Sequence, residues 1–283
     1  MKMKRKSLLL MTALTLCASM SAAELSVIST QKVDVADAYH PTLSPNGDVV
    51  LFSTDDYKGL KVVDLESSQV QVLDPEVGAG FDPVFSADGK TVVYRSVVRE
   101  NGLMRRDVKR FSLDMGVGEQ IAAPSRELVN TRAIVGDTYA YGLADQQAIE
   151  VSVDGMVQTI NPIEHGYRYL WTSVSPSKDK ILFNEIYSGL YVSNLDGTKA
   201  VNLASRADYP CWAGDKYVIA VKTTDDGYVF TSAKIIAIEI ETGKVTELTG
   251  DDVLVSGVSA NANKIVYTTD NGEMYIMNIL IAE

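Results

Sequence analysis

A polar turn between two short apolar strands returns six times along this chain, at intervals of about forty residues. The clearest copies are His40-Pro41-Thr42-Leu43-Ser44-Pro45-Asn46-Gly47-Asp48 and Asp82-Pro83-Val84-Phe85-Ser86-Ala87-Asp88-Gly89-Lys90. Weaker copies cover residues 131–137, 173–179, 209–215 and 256–261. The residues that end the first strand of each copy are Ser44, Ser86, Val135, Ser175, Ala213 and Ser259. They are separated by 42, 49, 40, 38 and 46 positions. A period of this size, built from short strands, is the mark of a radial β array.

Each interval holds four strand-like runs. In the first unit these are 41–44, 49–53, 60–64 and 70–73; in the fourth they are 172–175, 181–185, 189–194 and 200–203. The second run is rich in β-branched and aromatic residues, as in Val49-Val50-Leu51-Phe52 and Lys264-Ile265-Val266-Tyr267. Turn formers such as Asp154-Gly155 and Asp196-Gly197 separate the third run from the fourth. Six units of four antiparallel strands predict an all-β, six-bladed β-propeller. In such a ring each small twisted sheet is covered by its neighbours. The sixth unit supplies 255–259, 264–268 and 273–278 and lacks a fourth run. Residues 25–33 are therefore expected to pair with the last blade as its outer strand and tie the chain ends together.

The first 23 residues read differently. Lys2, Lys4, Arg5 and Lys6 precede an apolar run from Leu8 to Leu16 and the small-residue pattern Ser21-Ala22-Ala23. This is the layout of a secretory signal peptide, too short for an ordinary membrane span. Cys17 follows Leu16, where a lipoprotein signal wants Gly or Ala, so release after Ala23 is expected rather than lipid anchoring. The mature chain, 24–283, is then one propeller domain in the periplasm or outside the cell. No later apolar run approaches 18 residues, so no transmembrane segment is expected. Loss of the leader takes the formal net charge from −11 to −15, which disfavours nucleic acid and anionic membranes as partners. Cys211 is the one cysteine after residue 23, so no internal disulfide can form.

The element Pro-x-x-Ser-Pro-x-Gly before an apolar strand resembles the TolB-type, WD40-like (PD40-type) propeller repeat. It stands here as Pro41-Thr42-Leu43-Ser44-Pro45-Asn46-Gly47 and Pro83-Val84-Phe85-Ser86-Ala87-Asp88-Gly89, with a partial copy at Ser175-Pro176. Leu195-Asp196-Gly197 and Asn202-Leu203 are similar to that family's closing strands. The resemblance implies a partner-binding propeller of the bacterial envelope. It carries over no catalytic residues, because the family's turn motifs maintain blades. The N-terminal α/β domain of TolB itself has no counterpart, so TolB's role in the Tol–Pal system is not implied. No Trp-Asp or Gly-His signature and no Gly-Gly pair is present.

In a propeller the tight turns after each anchor lie on one face, and the blade-to-blade connections lie on the other. The second face collects the bulky groups. Four residues before the anchors stand His40, Asp82, Thr131, Trp171, Tyr209 and Val255. Beside them are Tyr39, Phe81, Arg132, Tyr169 and Asp208. Tyr57, Tyr187, Tyr228 and the acid pairs Asp55-Asp56, Asp225-Asp226 and Asp251-Asp252 lie in loops on the same side. Ring faces with a few polar groups suit a protein, peptide or glycan ligand. The ligand-binding residues expected at the channel mouth are Tyr39, His40, Phe81, Asp82, Arg132, Tyr169, Trp171, Asp208 and Tyr209. The alternative is that Trp171 and Tyr209 plug the channel and the acids are solvated. His40 and Asp82 fall on neighbouring blades and are expected to be able to hydrogen-bond.

Only two histidines are present, so a multi-histidine metal centre is not available. No Asp-x-Asp-x-Asp-Gly loop or phosphate-binding glycine loop is present, and no cofactor is expected. Cys211, beside Trp212, reads as a buried apolar residue. The leading reading is a non-catalytic binding or scaffold propeller of the envelope or exterior. Its rival is a carbohydrate-active hydrolase or lyase, which would need two facing channel carboxylates; Asp82 and Asp208 are the acids that register places there.

Overall fold

A computed structural model describes residues 24–143 and 147–282; the leader expectation and Cys17 lie outside them. The described chain is almost entirely sheet, and it is a six-bladed β-propeller. Four blades run consecutively from the channel outward: Tyr39–Leu43 to Val70–Val77, Val84–Phe85 to Val117–Ser125, Tyr169–Val174 to Val201–Ala204, and Asp208–Ala213 to Val245–Glu247. The last sheet is ordered Leu25–Val33, Met274–Ile281, Lys264–Thr269, Val255–Ala260. Leu25–Val33 pairs antiparallel with Met274–Ile281 along its whole length, with one register shift between Val27 and Ser29.

The ring is closed where the first blade meets the sixth. The Leu43 N–H donates to Ser259 Oγ at 3.1 Å, Lys264 Nζ to the Gly47 carbonyl at 2.7 Å, and the Ala38 N–H to the Gly272 carbonyl at 3.0 Å. Beneath these bonds Val50, Phe52, Val266 and Met274 form a buried apolar cluster.

The repeated Ser-Pro-x-Gly element is turn chemistry. Ser44 Oγ accepts the N–H groups of Asp48 and Val49, and Ser175 Oγ those of Asp179 and Lys180. Ser86 Oγ accepts the N–H of Thr91. Gly47 and Gly89 take φ of +76° and +72°, a conformation that a side chain would strain. Pro41 and Pro210 stand on innermost strands, where no partner on the channel side needs their missing N–H, and Pro83 directly precedes one.

The third blade departs from the repeat. Three strands pair, Tyr139–Leu143, Ala148–Val153 and Met156–Ile160, and the expected first run of this unit, which ends at Val135, is instead the short helical turn Arg132–Val135. Asn130 Oδ1 accepts the N–H groups of Arg132 and Ala133 and so begins that turn. Five apolar clusters fill the seams between blades 1–2, 3–4, 4–5, 5–6 and 6–1. The seam between blades 2 and 3 is held by charged groups, described below.

Blades 2 and 5 carry long hairpins. Thr91–Glu100 pairs with Leu103–Ser112, and Tyr217–Asp225 with Phe230–Glu239. The corresponding strands of blades 1, 4 and 6 have five to eight residues. At ~3.3 Å per residue the extra length carries each arm roughly 10 Å beyond its neighbours. In a ring of six, blades 2 and 5 are opposite one another, so the arms flank the channel mouth from two sides.

Candidate binding site at the channel mouth

The residue four places before the anchor has left-handed backbone in four blades: His40 (φ 53°), Asp82 (50°), Trp171 (48°) and Tyr209 (53°). In three of these blades the strand register also shifts here, between Tyr39 and Thr42, Leu170 and Ser173, and Asp208 and Cys211. Such a bulge breaks the in–out alternation of a strand and re-aims one side chain. Holding bulky residues at positive φ costs on the order of 1–3 kcal/mol each, and such strain gathers at functional sites.

On blades 1 and 2 this builds an aromatic stack. The His40 ring lies 3.8 Å from Tyr57 and nearly parallel to it; Tyr57 meets Phe81 edge-on at 5.2 Å; Tyr39 lies 6.4 Å from His40. The Tyr39 hydroxyl donates to the Asp270 carbonyl at 3.1 Å, linking the stack to blade 6. His40 Nε2 lies 3.0 Å from the Asp55 carbonyl oxygen, which can only accept, so this nitrogen carries the proton. Among the described residues His40 and Asp82 share no hydrogen bond: His40 Nε2 faces the Asp55 carbonyl, and both Asp82 oxygens accept from arginines.

Asp82 is held between two guanidinium groups. Arg95 donates to Oδ2 at 3.1 Å and Arg132 to Oδ1 at 3.0 Å. Arg95 is 4 % exposed, and its other terminal nitrogen donates to the Val129 carbonyl at 3.2 Å. Its guanidinium also sits 6.0 Å from the Phe81 ring centre, and that of Arg132 6.0 Å from Tyr141. These contacts make the polar seam between blades 2 and 3. A cavity of about 270 Å³ opens beside it, with Tyr57, Val77, Phe81, Arg95, Arg106 and Leu128 in its wall.

A second cavity, of about 310 Å³, lies between blades 5 and 6. Trp171 and Tyr209, 5.4 Å apart and tilted by 50°, form one side of it with Asp208. Phe230, from the arm of blade 5, and Ser256 and Asp270, from blade 6, form the other. Burial raises the Asp208 carboxyl above its ordinary pKa, and among the described residues its one hydrogen bond, from Thr223 Oγ1, is long at 3.4 Å. Burial also raises the Tyr209 phenol, with smaller contributions from Tyr57, Asp208 and Asp55.

Tyr169 is not at the mouth. It is 4 % exposed, meets Phe183 edge-on at 5.5 Å, and donates its hydroxyl to Asn161 Oδ1 at 2.6 Å, within the core between blades 3 and 4. Strand alternation alone would put Tyr169 and Trp171 on the same side; the bulge at Trp171 separates them. Three of the loop acids have structural partners: Asp226 accepts the N–H groups of Tyr228 and Val229, Asp225 pairs with Arg206 at 2.8 Å, and Asp251 with Lys234 at 2.8 Å. Arg95, Thr223, Phe230, Ser256 and Asp270 were not expected at the site. Arg95 could have been found as the charge interrupting the apolar run Val92-Val93-Tyr94.

Asp82 and Asp208 do not form a facing carboxylate pair: one is locked by arginines, and the other lines the cavity between blades 5 and 6. Among the described residues no group of three or more His, Cys, Asp or Glu is placed to hold a metal ion. Among them, too, no helix is long and apolar enough to cross a membrane.

No protein-family model matches the chain, and no curated protein matches it in sequence. Solved structures do match in shape. A chain from the crystal structure of a mitotic checkpoint complex superposes with a TM-score of 0.56 at 10 % identity, covering 98 % of this chain and 99 % of that one. The β-propeller domain of Cps50 (Swd1) from Myceliophteria thermophila gives 0.53 at 11 % identity, covering 90 % and 99 %. At such identity the likeness is one of fold, that of the β-propeller.

Proposed function

We propose that this chain is a non-catalytic binding scaffold that docks a protein partner across its channel mouth, between the arms of blades 2 and 5. One observation carries the reading: this face leaves large aromatic side chains in solvent. Phe81 is 48 % exposed, Phe230 59 %, Tyr187 78 % and Tyr228 95 %. Exposed rings grouped beside preformed cavities are the usual anchors of protein interfaces. The first structural neighbour belongs, by its title, to a multiprotein complex, which agrees with a scaffold role. The secretory leader and the TolB-like, PD40-type turn motif support a periplasmic or extracellular setting, with an envelope protein or peptide as the partner. An envelope glycan is the competing ligand.

The test uses immobilised mature protein and envelope extract. Proteins retained by the wild type are expected to be lost when Phe81, Tyr187, Tyr228 and Phe230 are together replaced by Ser, substitutions that leave the buried core untouched. Full retention by the variant contradicts the reading. Release of the retained material by a free oligosaccharide would transfer it to a glycan.

A further inference from the structure

We infer that the cavity between blades 5 and 6 is a site for an organic ammonium group, held between the rings of Trp171, Tyr209 and Phe230 and the carboxylate of Asp208. This rests on the proposal that the channel mouth is the docking face, and it names the chemistry one of its two cavities selects.

Four features converge on a cation. Three aromatic residues of different blades and of one arm line a single volume of about 310 Å³, at the small end of ligand pockets. Ring faces are negative, and a cation within about 6 Å of them is attracted, most strongly to Trp. Two carboxylate residues, Asp208 and Asp270, line the same volume, and among the described residues no Lys, Arg or His does. The nearest base acting on Asp208, Arg206, is paired 2.8 Å away with Asp225. Among the described residues the Asp208 carboxylate accepts one long bond, from Thr223, in a largely apolar cavity, and burial holds its pKa above the ordinary value.

A partly desolvated carboxylate so poorly partnered is costly to the empty protein. A neutral sugar leaves that charge uncompensated. An ammonium neutralises it and at the same time finds the ring faces. The other mouth cavity has both signs of charge in its wall, Arg95 and Arg106 together with Asp56. The ammonium has two sources in a protein partner, a lysine side chain or an N-terminal α-amine.

Isothermal titration of the mature protein would compare choline with its neutral isostere 3,3-dimethyl-1-butanol. Two further arms use Nα-acetyl-lysine methylamide and alanine amide. Tryptophan emission follows occupancy directly, since Trp171 is one of two tryptophans and Trp212 is buried. The expected result is that choline binds at least about tenfold tighter than the isostere, that Asp208→Asn removes this preference, and that emission changes on binding. The tighter of the two peptide-like amines then identifies the source. Equal binding of choline and the isostere, or a preference that survives in Asp208→Asn, overturns the inference. The docking proposal fails separately: if ammonium is selected but the aromatic-to-Ser variant still retains every partner, the site stands and the docking face does not. If partners are lost but no charge preference exists, the reverse holds.

Discussion

Replacing Asp82 by Ala should unlock one seam of the ring. Among the described residues the seam between blades 2 and 3 has no apolar cluster like the other five, and Asp82 is the acceptor shared by Arg95 and Arg132. Ala removes two charge-assisted bonds and leaves the Arg95 charge in a site only 4 % exposed, with the Val129 carbonyl as its remaining hydrogen-bond acceptor. Removing one partner of a fully buried ion pair costs about 3–5 kcal/mol. The Asp82 side chain is 33 % exposed and that of Arg132 25 %, so water screens part of the interaction, and about 2–3 kcal/mol is the reasoned loss. For a domain of this size each kcal/mol lowers Tm by roughly 2–4 °C, which gives a fall of roughly 4–12 °C. Urea and thermal melts followed by circular dichroism would measure it. The double variant Asp82→Ala/Arg95→Met removes the stranded charge as well and should recover part of the loss. A single-variant loss below about 0.5 kcal/mol would refute the claim that this ion cluster holds the seam, and would return Asp82 to the pool of free channel carboxylates.

Other outcomes follow from the same contacts. Ser44→Ala strands the N–H groups of Asp48 and Val49 and should cost about 1–2 kcal/mol in urea unfolding; a neutral result would remove the turn chemistry assigned to the motif. The folded Asp208 carboxyl titrates above its ordinary 3.8, so the folded state holds the extra proton between the two values and loses stability as pH rises through them. Asp208→Asn, which does not ionise, should therefore be more stable than the wild type at pH 7 and lose that advantage below the ordinary value; melts at both pH values check the sign. Burial pushes the Cys211 thiol up to about 12, so it should resist thiol reagents at pH 8 until the protein is unfolded.

Much of this architecture is legible in the sequence because it is built from local chemistry. Ser44, Gly47, Ser86 and Gly89 make their turns with near neighbours, so period and composition alone expose the units. Even the arms leave a trace: the two longest anchor spacings, 49 and 46, are those of blades 2 and 5. What stays hidden depends on long-range geometry. The helical turn at Arg132–Val135 replaces an expected strand because Asn130 captures two backbone donors, a signal that competes with the repeat only locally. Tyr169 is expected at the mouth for its place beside Trp171 in the chain, and that adjacency does not show the left-handed residue and register shift that separate the two side chains. The Asp82 clamp could not be read because Arg95 reaches it from the next strand and Arg132 from the next blade.

Site-specific photo-crosslinking tests most directly which face does the binding. A benzophenone amino acid would be placed in turn at Phe81 and Tyr228 on the mouth, and at Asn46 and Asp88 on the opposite face, in cells producing the protein. The account predicts adducts with a discrete partner from Phe81 and Tyr228 and none from Asn46 and Asp88. Adducts confined to Asn46 and Asp88 would contradict it, however well the ring itself is formed.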